Sequence, residues 1–171
     1  MDKKSAIQNL LQLKDIFPNM FLCYGTALGS IREGDILTHD LDTDIGILAS
    51  DFSYDKLKEL FDAGFTIHSI YGLINWGCEI AVRKNGIKTD IMFYYPNDKG
   101  YWNSLWDNNC CNGQSDSIRH QIKGINIIKS KLQGQVFNCL DENYLVEVYG
   151  KDWKIPVKQW DWRTSHLNKY E

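Results

Sequence analysis

Three aspartates at alternate positions, Asp40, Asp42 and Asp44, lead straight into the apolar run Ile45-Gly46-Ile47. Aspartate is depleted in β-strands, so its recurrence with period two calls for a physical reason. On an extended chain, residues i and i+2 share a face and stand roughly 6.5–7 Å apart. Two bare carboxylates at that separation repel by about 2–2.5 kcal/mol at an effective dielectric of about 20. A divalent cation removes the repulsion, and hard oxygen ligands select magnesium or manganese over zinc. A solvated acidic loop is the plain alternative. A calcium loop is a second one, but Ile45 stands where its turn requires Gly, and Asp51 where its terminal Glu belongs.

Two further features favour a metal. Upstream, Gly25-Thr26 follows the apolar stretch Met20–Tyr24 and opens a short helix. Glycine lets the backbone approach a phosphate, and free helix-start N–H groups with the Thr26 hydroxyl can bind its oxygens. Downstream, Lys88-Thr89-Asp90-Ile91-Met92-Phe93 places one acid inside an apolar strand, where a charge is costly unless paired or metal-bound. Strand, Gly-Thr turn, helix, DxD and an isolated strand Asp form the layout of a two-metal phosphoryl-transfer site. The period-two acids and Asp90 are therefore the candidate metal ligands. Gly25, Thr26, Ser30 and Arg32 are the expected substrate-binding residues, although Arg32 could equally pair with Glu33 or Asp35. His39 is out of phase with the acids and should point away from them. Tyr101, Trp102 and Trp106 could stack on a base or sugar, with packing the plainer role. Trp153, Trp160 and Trp162 read as structural.

The elements that must position these residues follow from periodicity and punctuation. Ile7, Leu10, Leu11 and Leu13 give a helix over residues 3–16, stopped by Pro18. Residues 20–24 and 42–48 read as strands. Ser53 caps a helix from Tyr54 to Asp62, ended by Gly64, and residues 65–71 form a strand. Asn85-Gly86 joins Cys78–Lys84 to Ile87–Tyr95 as a hairpin. Residues 96–117, rich in Asn, Asp, Gly and Trp, read as a long loop. Strands at 118–128 and 134–139 lead to Asp141, the cap of a helix ending at Gly150. The pattern predicts one α+β domain over residues 1–171, a mixed β-sheet flanked by helices.

The net charge of −3 offers no global field to gather nucleic acid, and none is expected as a partner. The nearest basic patch is Lys151, Lys154, Lys158 and Arg163. Cys23, Cys78, Cys110, Cys111 and Cys139 show no metal-ligand spacing, and Cys110-Cys111 lacks a CxxC partner, so thiols are expected. With no apolar run long enough for a leader or a membrane span, a cytoplasmic location is the expectation.

The string Tyr24-Gly25-Thr26-Ala27-Leu28-Gly29-Ser30-Ile31-Arg32-Glu33-Gly34-Asp35-Ile36-Leu37-Thr38-His39-Asp40-Leu41-Asp42-Thr43-Asp44-Ile45-Gly46-Ile47 resembles the signature of the LicD/fukutin family, GTLLGxxRxGxxIPxDxDxDIGI. Tyr149-Gly150-Lys151-Asp152-Trp153, with Pro156 beyond it, is similar to a second motif of that family. The first string departs at Thr38, where the family often has Pro. The resemblance implies a nucleotidyltransferase-like fold. It also implies transfer of phosphocholine or ribitol phosphate from a CDP-linked donor to a sugar or glycan hydroxyl, with CMP released. By this resemblance Asp42 and Asp44 match the metal-binding DxD, Asp90 the third acid, and Asp40 an extra acid of the longer motif, which makes Asp42, Asp44 and Asp90 the expected metal ligands and catalytic residues. A conventional nucleotidyltransferase that moves NMP from NTP is the alternative chemistry. A non-catalytic nucleotide-binding module is the alternative class, and the intact acids count against it.

Overall fold

The apolar positions at helical spacing form α1 (Lys3–Ile16), where the Asp2 carboxylate caps the first turn by accepting from the Ser5 N–H. After β1 (Phe21–Leu22) the chain turns at once into α2 (Tyr24–Glu33), which Gly34 ends in the left-handed conformation at φ 67°. Then follow β2 (Asp42–Leu48), one 3-10 turn, and α3 (Asp55–Asp62). A meander comes next: β3 (Thr66–Leu73), β4 (Trp76–Lys84) and β5 (Ile87–Asn97). It continues into β6 (Gly100–Asp107) and β7 (Asp116–Ile122). The hairpin β8 (Ile127–Leu132) and β9 (Gln135–Leu140) leads into α4 (Glu142–Tyr149), and the short α5 (Trp162–Ser165) comes last. This computed structural model describes residues 1–107 and 116–169.

The strands lie in the order β3-β4-β5-β2-β1-β9-β8, with β6 paired to the far end of β5 and to β7. β2 runs parallel to β5 and β1 parallel to β9, while the other pairs are antiparallel. The mixed sheet with flanking helices is the α+β class the sequence implied. Asn85 and Gly86 both take positive φ, 52° and 75°, as a tight hairpin turn requires. Asp141 caps α4 as expected, accepting from the Tyr144 N–H at 3.2 Å. Ser53 does not cap α3: its carbonyl, not its side chain, accepts from Lys56, and Tyr54 occupies the cap position.

Two segments differ from the sequence reading. Much of residues 96–117 is strand, with β5 and β6 joined by a tight turn at Asn97–Gly100. Asn103 and Ser104, polar residues that suggest a loop, are buried inside β6. Asn103 is satisfied there by the Tyr24 hydroxyl at 2.8 Å. The expected strand 118–128 is two strands, β7 and β8, separated around Gly124. The turn Gln133-Gly134, at φ 47° and 79°, makes the β8–β9 hairpin. Cys23, Cys78 and Cys139 are buried free thiols, and Cys110-Cys111 lies outside the described residues. Among the described residues, no helix is long and apolar enough to cross a membrane.

The pairing of β2 with β5 fixes the geometry that matters most. Thr43 is the register partner of Thr89, and Asp44 that of Asp90. Both threonines are buried, and their hydroxyls meet at 2.8 Å on the face opposite the acids. A slip by one residue would turn every side chain to the wrong face, so this buried polar pair helps pin the register. On the acids' own face, the Phe21 and Tyr94 rings close over Gly46, where a Cβ would lie 2.2 Å from Phe21. Thr43→Val or Thr89→Val should each cost about 1–3 kcal/mol, because one buried hydroxyl loses its partner. The double variant should recover much of that loss, which a double-mutant cycle by chemical denaturation would read. Strict additivity of the two losses would show that the pair contributes no coupling.

Candidate active site

The acids gather where β2, β4 and β5 meet the start of α2. A cleft of about 280 Å³ opens there, lined by Gly25, Asp42, Asp44, Lys88 and Asp90. Glu79 from β4 also faces it, with the rings of Tyr71, Trp106, Trp160 and Trp162 on its walls. Register partners on adjacent strands begin roughly 5 Å apart. Two carboxylates held at such a distance would repel by about 3 kcal/mol at an effective dielectric of about 20. The Lys88 ammonium answers part of this, standing 3.0 Å from Asp42 Oδ2 and 2.8 Å from Asp90 Oδ2.

The electrostatics record the crowding. Asp44 keeps some surface open to the cleft, yet its carboxyl is pushed well above the usual range, first by burial and then by Asp42, Asp90 and Asp40. Burial likewise raises Asp90 against the opposing pull of Lys88. Burial and the nearby Asp90 lift Glu79 to about 8. The Lys88 pKa is raised, because Asp90 and Asp42 outweigh its own burial. Asp90 Oδ1 is buried without a hydrogen-bond partner, a costly state for a carboxylate oxygen unless a ligand engages it. An oxygen-only donor set with one orphaned buried carboxylate oxygen suits a hard divalent cation. Among the described residues, no three acids are already closed into a metal cage.

The remaining expected residues fall into distinct places. Gly25 lies directly under the acids: a Cβ there would come within 3.0 Å of Asp40 Oδ2 and 3.5 Å of Asp44 Oδ2. Thr26 is buried, and its hydroxyl accepts from the Asp44 N–H at 2.7 Å, so it holds the acid strand against α2. Ser30 is drawn away from the acids, onto Ser130 at 2.7 Å in β8. Arg32 pairs with Glu33 at 2.8 Å and borders a second cavity of about 170 Å³. That cavity meets the first at Gly25, Tyr149 and Trp160. Asp40 lines it, with its pKa raised to about 6 by burial against the opposing His39. His39 is largely exposed, 3.6 Å from Asp40.

Sequence reasoning missed several residues here. Glu79 sits in the apolar run Cys78–Val82, the same signal that singled out Asp90. Lys88 lies two residues before Asp90 and therefore on its face. Trp160 and Trp162, expected to be structural, line the cleft, whereas Trp102 is buried against Tyr95 at 4.7 Å. Trp106 stacks on Tyr71 at 5.9 Å, and its backbone N–H donates to Glu79 at 3.2 Å. Tyr24 starts α2 at the strained φ of 42°, buried and over-determined. Its N–H donates to the Tyr144 hydroxyl, its own hydroxyl bonds Asn103 and His120, and its ring stacks on His166 at 5.3 Å.

A family model described as "LicD/FKTN/FKRP, nucleotidyltransferase domain" matches residues 19–116. The mouse protein "Ribitol-5-phosphate transferase FKTN" is 29% identical over 159 residues, 91% of this chain and 34% of the relative. Its human counterpart is 29% identical over 174 residues, 97% of this chain and 37% of the relative. The Caenorhabditis elegans protein W02B3.4, described as uncharacterized, is 26% identical across 98% of this chain and 47% of its own length. The chain thus spans about a third of the length of the FKTN relatives. A solved structure of ANT(2")-Ia with adenylyl-2"-tobramycin superposes with a TM-score of 0.47 at 14% identity, over 93% of this chain and 81% of that one. That likeness is too slight to carry fold or function.

Asp44→Asn should stabilise the metal-free protein. The folded pKa of Asp44 lies above its unfolded value of 3.8. Between the two, the folded state holds a proton that the unfolded chain has released, so stability from this group is full below the unfolded pKa. It is lost as pH rises through the folded value. In a chelating buffer at pH 7–8 the variant should be more stable than wild type by about 0.5–2 kcal/mol, the range of common stabilising changes, and the gap should narrow towards pH 4. A wild type more stable than the variant at every pH would contradict the crowding described here.

Proposed function

We propose that this chain, which belongs to the LicD/FKTN/FKRP family of nucleotidyltransferase domains, is a metal-dependent transferase of substituted phosphate groups. It moves a phospho-alcohol of the ribitol phosphate or phosphocholine type from a CDP-linked donor to a sugar or glycan hydroxyl, releasing CMP. The observation that carries the reading is the cleft where Asp44 and Asp90 stand in register beside Asp42, with one Asp90 oxygen buried and unpartnered. The FKTN relatives, named as ribitol-5-phosphate transferases, support the substrate class.

Asp42, Asp44 and Asp90 are the residues that would hold magnesium, or manganese in its place. When bound, the metal supplies charge neutralisation at the donor diphosphate and makes an acceptor hydroxyl more acidic. Gly25, with no Cβ, leaves room for the donor phosphate to approach the start of α2, and a helix N-terminus favours an anion. Thr26, holding the Asp44 amide, fixes the acid strand against that helix start. Asp90 would take the acceptor proton. Tyr71 and Trp106 offer a flat wall for a base or sugar. The remaining chemistry is in-line attack on the phosphorus distal to cytidine, governed by positioning and charge.

Incubation with CDP-ribitol, CDP-choline and the four NTPs in magnesium, with chromatography of the nucleotide products, tests the reading. CMP should appear from a CDP-alcohol, slowly even without the true acceptor, because water can take the place of its hydroxyl. Pyrophosphate from an NTP, with no CMP from either CDP-alcohol, would instead assign conventional nucleotidyl transfer to the same acids.

A further inference from the structure

We infer that Lys88 is a built-in counter-cation for the acid cluster, bridging Asp42 and Asp90 in the metal-free protein and giving way when a divalent ion binds. This rests on the metal reading of the same carboxylates. Lys88 is the register partner of Asp42 across the β2–β5 pair and lies two residues from Asp90 along β5. All three side chains therefore rise from one face. Its ammonium meets one oxygen of each acid, at 3.0 and 2.8 Å, with about a third of the side chain exposed to the cleft. The other Asp90 oxygen is left buried and unsatisfied, so a single lysine only half-completes the neutralisation.

This explains how an acid-rich pocket can fold before any metal arrives. Asp42 and Asp90 each turn an oxygen towards the lysine. Magnesium needs near-octahedral oxygens at about 2.0–2.1 Å, and a divalent charge ligated by Asp90 would stand only a few ångström from the ammonium. The two cations compete for the same carboxylates. A lysine suits exchange better than an arginine would, because its ammonium is a compact point charge on a flexible stem, without a bidentate grip. Once displaced it stays tethered to β5 at the cleft wall.

Magnesium and manganese titrations by calorimetry, with thermal unfolding in chelator and in magnesium, test the exchange in wild type, Lys88→Met and Lys88→Arg. Lys88→Met should bind the metal at least about tenfold more tightly than wild type, which is 1.4 kcal/mol. It should also melt earlier in chelator and show a larger stabilisation by magnesium. Lys88→Arg keeps the charge, and its affinity should stay within about threefold of wild type or fall below it. If Lys88→Met does not fold without metal, Lys88→Gln carries the same expectation. Equal or weaker metal binding by the neutral variants, with wild type still binding, would overturn the exchange while sparing the metal site. Absence of metal binding in every variant and in wild type would overturn the metal reading, and this inference with it.

Discussion

The structure turns on one unfavourable pairing: two carboxylates, Asp44 and Asp90, brought side by side by the parallel register of β2 and β5. Nothing in the hydrogen-bonding ladder requires acids at those positions, and their repulsion works against the fold. The cost is borne because the opposite face of the same strands is firmly packed. Ile45 and Ile47 are essentially fully buried, and Thr43 bonds Thr89 directly behind the acids. A rigid, satisfied back face holds an unsatisfied front face in place. Functional sites are where such local frustration is expected.

The surroundings are organised around the same pair. The Thr26 hydroxyl takes the Asp44 amide, and Gly25 leaves no Cβ to press on Asp40 and Asp44. The strained Tyr24 is held from β6, β7, α4 and the C-terminal segment at once. The residue that begins the helix beneath the cleft is thereby tied to elements distant in sequence. Tyr149, Trp160 and His166 pack together beside it, and Tyr149 and Trp160 form the wall shared by both cavities. The two cavities meet over Gly25, which gives the proposed transfer room for a donor and an acceptor.

Much of this was legible in the sequence. The period-two acids, the lone Asp90 in an apolar strand and the Asn85-Gly86 turn each carry a local signal, and the mixed sheet follows from them. What was not legible depended on partners distant in the chain. Asn103 looks like a loop residue until the Tyr24 hydroxyl arrives to satisfy it. Thr26 and Ser30 both sit near the Gly-rich turn. Only the packing of α2 against β2 and β8 turns the first towards Asp44 and the second towards Ser130. Glu79 and Lys88 carried the same local signals as Asp90, a buried acid and a shared strand face. They were recoverable from the sequence once Asp90 had been recognised.

The central claim is that these three carboxylates form a divalent-metal site. Anomalous diffraction from crystals of the protein soaked in manganese tests it most directly. Manganese density is expected within ligand distance of Asp42, Asp44 and Asp90, with the Asp90 oxygen that lacks a protein partner now coordinating. Manganese bound elsewhere, or an acid cluster unchanged and empty at millimolar manganese, would contradict the account.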